Sequence, residues 1–198
     1  MSEDTNGRAL GGHGALPALL RRDQFLEALE AAAARARRAG GSYALCLIDV
    51  DRMRNINDRH GQAAGDAVLR ALHGRVAAAL ALPRWRVLAT ALARFDGDSL
   101  ILMLEGAGLA QIERLGEELR RRIAGKAFAW KLTVTASVAV AADRPGESVD
   151  ALLARTEKTL YLAKQFGGDR VEAARAPQPR PSRASVTDIA QARRASPQ

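Results

Sequence analysis

The sequence predicts an α+β fold: a central, mainly antiparallel five-stranded sheet flanked by helices. Two observations carry this expectation. Apolar residues recur at three- and four-residue spacing in some stretches and run on or alternate in others, in the order α-β-α-β-β-α-β-α-β. The adjacent β-β pair is joined by Asp96-Gly97-Asp98, and an Asp-Gly step between two apolar runs is a hairpin turn, because glycine accepts the positive φ of a tight turn.

Each element has its own sign. A first helix is expected over about residues 16–38, where Phe25, Leu29 and Ala33 lie four apart and Gly40-Gly41 stops it. "YALCLIDV" (43–50) reads as a buried strand, and "RMRNIND" (52–58) as a short helical piece running to Gly61. Leu69, Leu72, Val76 and Leu80 stripe the next helix. "WRVLATALARF" (85–95) and "DSLILMLEG" (98–106) form the hairpin. Leu109, Ile112, Leu115, Leu119 and Ile123 mark a third long helix, and "WKLTVTASVAVA" (130–141), rich in β-branched residues, the following strand. Val149, Leu152, Leu153 and Leu160 belong to a last helix, with "DRVEAA" (169–174) as the closing strand.

Composition bounds the rest. At 198 residues the chain is one domain with flanks, 47% hydrophobic but only 4% aromatic, so Leu, Val and Ala must fill the core. The expected organisation is a disordered Gly-rich segment (1–14), a folded domain (15–172) and a disordered Pro/Ser/Arg-rich tail (173–198). Within the tail, "TDIAQARR" offers one or two helical turns to a partner, against the plainer reading of a solvated tail. The tail's five arginines and one aspartate supply half of the net +8, and the remaining excess is spread over helices. That distribution does not support sequence-specific nucleic-acid binding. The longest apolar runs are too short to span a bilayer, and no apolar signal segment opens the chain. The single cysteine, Cys46, lies in an apolar run and reads as a buried hydrophobe, which suits a reducing cytoplasm.

The chemistry concentrates at the end of one strand. "LCLIDVDRMRNIND" closes an apolar run with Asp49 and, two residues on, Asp51. A carboxylate at the end of a buried strand is costly unless solvated, hydrogen-bonded or bound to a cation. If the hairpin lies beside this strand, Asp98 approaches Asp49, and two carboxylates with a backbone carbonyl suit Mg²⁺.

Four motifs in order then resemble one family. "LCLIDVDRMRNINDRHGQAAGDAVL" resembles the "LDIDxFKxINDxxGHxxGDxVL" segment of the GGDEF family of diguanylate cyclase domains. "LARFDGDSLILML" resembles its "ARYGGDEFAVLL", "LTVTASVAV" its "VTVSIGVA", and "ALLARTEKTLYLAKQFGGDRV" its "ALLRRADxALYxAKxxGRNRV". The likeness spans about residues 16–172. It implies the palm-like fold of nucleotidyl cyclases and the joining of two GTP molecules, one per domain, into cyclic dimeric GMP with Mg²⁺. By position, it implies metal binding by Asp49, Asp98 and the Val50 carbonyl, guanine reading by Asn57 and Asp66, and a phosphate contact from Lys164. A carboxylate accepts from both N1–H and the N2 amine of guanine, a pair that adenine does not offer.

The departures from the family pattern matter as much. Ser99 replaces the glutamate associated with metal binding and activation of the attacking hydroxyl, and a serine has neither the charge nor a useful pKa. Asp96 replaces a glycine beside the nucleotide, and Gly168 an arginine that contacts phosphate. The inhibitory "RxxD" would fall at residues 87–90, where neither its Arg nor its Asp is present, so no inhibitory site is expected. The expected function is a catalytically impaired or inactive member of cyclic-di-GMP signalling, binding GTP or a related guanine nucleotide and acting through a protein partner. Two other readings stand beside it: a slow diguanylate cyclase, and an interaction scaffold that binds no nucleotide. With no receiver- or sensor-like stretch ahead of residue 16, pairing of two domains is expected to come from the domain itself or a partner.

Overall fold

The computed structural model describes residues 19–175, Val87 apart. The 1–14 segment and the "TDIAQARR" stretch lie outside the described residues. In chain order the elements are β1 (Leu19–Leu20), α1 (Arg22–Ala39), β2 (Tyr43–Val50), α2 (Met53–His60), α3 (Gln62–Leu80), α4 (Pro83–Arg86), β3 (Ala89–Arg94), β4 (Ser99–Glu105), α5 (Leu109–Ala124), a 3₁₀ turn (Ala129–Lys131), β5 (Ala136–Ala142), α6 (Val149–Gln165) and β6 (Val171–Ala173). The sheet order is β1-β3-β4-β2-β5-β6. Its four central strands pair antiparallel, while β1 and β6 add parallel edges.

The α+β architecture and the mainly antiparallel centre are as expected, but the sheet has six strands, not five. The additional one is Leu19–Leu20, which pairs with Leu92 and Ala93, so the first helix begins at Arg22. Two residues are too short to show any period. The strand expected over 130–141 pairs only from Ala136, because β2 ends at Val50, its partner there. Trp85 sits in α4 instead of opening a strand: the backbone N–H groups of Trp85 and Arg86 both donate to the Leu82 carbonyl, with Pro83 in the first turn.

β2 explains the layering. All eight of its residues are buried, and alternate side chains enter two cores. Ala44, Cys46, Ile48 and Val50 meet Val68, Leu72 and Val76 of α3 and Ile112, Leu115 and Leu119 of α5. Tyr43, Leu45 and Leu47 meet Phe25 and Leu29 of α1 and Leu152 and Leu160 of α6. By this alternation Asp49 falls on the α6 face. Residues 173–175 stay with the packed body: Ala174 joins the second core, and its carbonyl accepts from Arg144 and Arg155.

Candidate functional site

Asp49 is 6% exposed, level with Ser99 of β4 on one side and Ser137 of β5 on the other. From the last turn of α6, Lys164 brings Nζ to 2.6 Å from Asp49 Oδ1. Charge is matched there, and no other group contacts Oδ1 among the described hydrogen bonds and ion pairs. Burial pushes the Asp49 carboxyl above its ordinary range, Lys164 works against that, and the charges of Asp98 and Asp51 add to the rise. The structure therefore brings Asp49, Asp98 and Lys164 into one electrostatic group. Val50, buried at the end of β2, is the next residue of the same strand.

Asp51 plays a different part. Its carboxylate accepts from Thr135 Oγ1 (2.7 Å), Ser137 Oγ (2.6 Å) and the Asp169 backbone N–H (2.8 Å), tying β2 to β5 and to the loop between α6 and β6. Gly168 belongs to this clamp. Its φ is +75°, and a Cβ there would stand 2.8 Å from Asp51 Oδ1. The residue found in place of the family arginine thus fills a position with no room for a side chain unless Asp51 moves.

At the hairpin, Ser99 is turned back on its own chain. Its backbone N–H donates to the Asp96 carbonyl (2.6 Å), its hydroxyl donates to the same oxygen (3.0 Å), and that hydroxyl accepts from Asp96 N–H (3.0 Å). At 5% exposure it closes the turn. Asp96 is exposed and Asp98 half-buried.

Beside Asp98 opens a cleft of about 410 Å³, lined by Met53, Arg54, Asn57 and Asp58 of α2, Gln62, Asp66 and Leu69 of α3, and Gly97 and Asp98 of the hairpin. Asn57, Asp66 and Asp98 are thus brought together, while Asp49, Val50 and Lys164 do not line this space. Asp98 connects the two groups: it lines the cleft and acts on Asp49 by charge. Asn57 Oδ1 is a buried oxygen without a hydrogen bond. It sits where a Cβ on Gly65 would lie only 1.9 Å away, so the glycine makes the space for the amide. Asp58 and Gln62 went unnoticed in the sequence; their only signal was proximity to Gly61, where α2 gives way to α3. A larger cleft of about 490 Å³ between α4 and α5 contains none of the expected site residues. Its Glu118 is already saturated by Arg84, Arg122 and the Trp85 indole N–H. Of positions 87–90, where the inhibitory motif would fall and neither of its charged residues is present, Val87 lies outside the described residues and Leu88 lines this second cleft.

The family model described as "Diguanylate cyclase, GGDEF domain" matches residues 13–170. The chain belongs to the GGDEF family. It is 35% identical over 162 residues to the diguanylate cyclase DgcP of Pseudomonas aeruginosa, covering 80% of this chain and 23% of that one. It is 33% identical over 162 residues to DgcM of Escherichia coli, covering 82% of this chain and 38% of that one. The chain thus spans well under half the length of these curated relatives. Among solved structures, the active GGEEF domain of a diguanylate cyclase from Vibrio cholerae superposes with a TM-score of 0.73 at 25% identity, over 81% of this chain and all of that one (100%).

The site of this GGDEF domain fits a divalent cation in a limited way. Asp49 Oδ1 is a buried carboxylate oxygen whose partner is the Lys164 ammonium, a cation already standing at it, with Asp98 acting on it. Among the described residues no three His, Cys, Asp or Glu side chains converge. Two carboxylates match Mg²⁺, which keeps waters and phosphate oxygens in its shell, and do not make an all-protein cage.

Proposed function

We propose that this GGDEF domain binds GTP or a related guanine nucleotide with Mg²⁺ and turns it over poorly or not at all, serving cyclic-di-GMP signalling as a sensor or regulator through a protein partner. The observation that carries this reading is Ser99. The position of the family glutamate holds a hydroxyl that is spent on its own turn, 5% exposed, so no carboxylate stands there to take a proton from an attacking hydroxyl. The binding residues are retained around it. In this reading Asp66 accepts from N1–H and the N2 amine of guanine, Asn57 Oδ1 turns its free acceptor capacity to the base, and Lys164 meets phosphate. Asp49, Asp98 and the Val50 carbonyl hold the Mg²⁺, which supplies charge neutralisation of the phosphates when bound. Among the described residues no helix is long and apolar enough to cross a membrane. A cytoplasmic setting fits the buried lone thiol of Cys46.

A slow cyclase is the second reading, favoured by the retained grouping of Asp49, Asp98 and Lys164. One set of measurements separates the two. Calorimetric titration with GTP, with and without Mg²⁺, is expected to give saturable, guanine-specific binding that Asp66→Ala abolishes. Overnight incubation with GTP and Mg²⁺ is expected to leave no cyclic dinucleotide. Product that depends on Asp98 would establish the slow cyclase, and no heat at millimolar GTP would overturn nucleotide binding altogether.

A further inference from the structure

Lys164 occupies an unusual place for a residue expected to meet phosphate. Its side chain is 42% exposed, yet its ammonium reaches inward to an aspartate whose own side chain is only 9% exposed. The groups acting on Asp49 are Lys164, Asp98 and Asp51. Asp98 and Asp51 are both acidic, and the oxygens of Asp51 are already taken by Thr135, Ser137 and the Asp169 N–H. Lys164 is therefore the one cation, among the described residues, that is paired with Asp49. The two side chains meet at 2.6 Å on a buried oxygen that no other group contacts among the described hydrogen bonds and ion pairs, so Lys164 stands where a metal on Asp49 would have to bind.

We propose that Lys164 is a placeholder. Its ammonium fills the cation position on Asp49 in the empty protein and leaves it when nucleotide and metal arrive, the ammonium moving to phosphate oxygens and the metal taking the carboxylates. The second half rests on the guanine-nucleotide reading above; the first half does not. The exchange conserves charge pairing: Asp49 trades one cation for another, and Lys164 trades a carboxylate for a phosphate. Neither group is stranded at the poorly solvated end of β2, where an unpaired charge is costly. Two consequences follow. A divalent ion alone must displace Lys164 and binds weakly. A triphosphate draws Lys164 away, so metal and nucleotide strengthen one another's binding, reciprocally.

The test uses the full chain with Mn²⁺ as the probe, its free fraction read by electron paramagnetic resonance with and without saturating GTP, against protein-free samples that account for the Mn²⁺ chelated by GTP itself. Wild type, Lys164→Met and Lys164→Gln are compared, and melting curves establish that each variant is folded. The glutamine variant retains a donor toward Asp49 without the charge, which guards against collapse of the methionine variant. Neutral variants are expected to bind Mn²⁺ alone about tenfold tighter than wild type, and to lose the roughly fivefold or greater gain that GTP gives wild type. Neutral variants that bind Mn²⁺ alone no tighter than wild type would overturn the placeholder, whether or not GTP binds. Tighter Mn²⁺ binding by the variants with no GTP binding by wild type would sink the nucleotide reading and leave Lys164 as the lock on a cation position.

Discussion

Two aspartates two residues apart should respond to mutation with opposite signs. Asp51→Ala removes the acceptor for three hydrogen bonds, from Thr135 Oγ1, Ser137 Oγ and Asp169 N–H. Ser137 is 0% exposed, so its hydroxyl is left in a place water does not reach. A hydrogen bond to a charged acceptor contributes about 1.5–3 kcal/mol, and water replaces part of that at the half-buried carboxylate, so the net loss is about 2–4 kcal/mol. At about 2–4 °C per kcal/mol for a domain of this size, the melting temperature should fall by about 5–15 °C. Asp49 is the reverse case. Burial, opposed but not outweighed by Lys164, leaves its ionised form disfavoured in the fold. A carboxyl raised above its unfolded value takes stability away at neutral pH and returns it as pH falls. Asp49→Asn imitates the protonated state, so in metal-free buffer at pH 7.5 it should melt above wild type. Thermal melts of both variants by circular dichroism, with EDTA, decide the matter. An Asp51→Ala protein melting with wild type, or an Asp49→Asn protein melting below wild type, would refute the assignment of clamp and site.

Three further outcomes are expected. Gly65→Ala gains about 1 kcal/mol of helix propensity but forces Asn57 and Met53 aside, so stability should change by less than about 2 kcal/mol. GTP binding, deprived of the Asn57 amide, should weaken about two- to tenfold by calorimetry, and unchanged affinity would remove Asn57 from the site. Burial tends to raise Glu118, but Arg84, the Trp85 indole and Arg122 together hold it below the ordinary glutamate range. Its contribution to stability is thus present above about pH 5 and lost as pH falls through its folded value, so Glu118→Gln should flatten the acid limb of a stability–pH curve. Cys46, fully buried and pushed up to about 12, should resist iodoacetamide at pH 9 until denaturant is added; rapid labelling of the native protein would contradict its place in the core.

What the sequence by itself determined was the succession of elements, the hairpin at Asp96-Gly97-Asp98 and the family. Side-chain period reports which face of a segment is buried, and motif order reports descent; both are written locally along the chain. It also named Asn57, Asp66 and Asp98, which the structure gathers at one cleft because Gly61 folds α3 back beside α2. Tertiary structure alone decided the uses of the acids and of Ser99. Asp49 and Asp51 look alike in "IDVD", and a period of two would set both on one face, but β2 ends between them at Val50. One faces α6 and its lysine, while the other finds partners 84, 86 and 118 residues further along the chain. Residue type tells that Ser99 lacks a carboxylate, but only the folded turn shows its hydroxyl held by Asp96. The sixth strand was hidden for the same reason: two leucines have no period, and they become a strand only where β3 offers an edge. A hydrogen bond depends on what stands opposite, and that is decided by the fold.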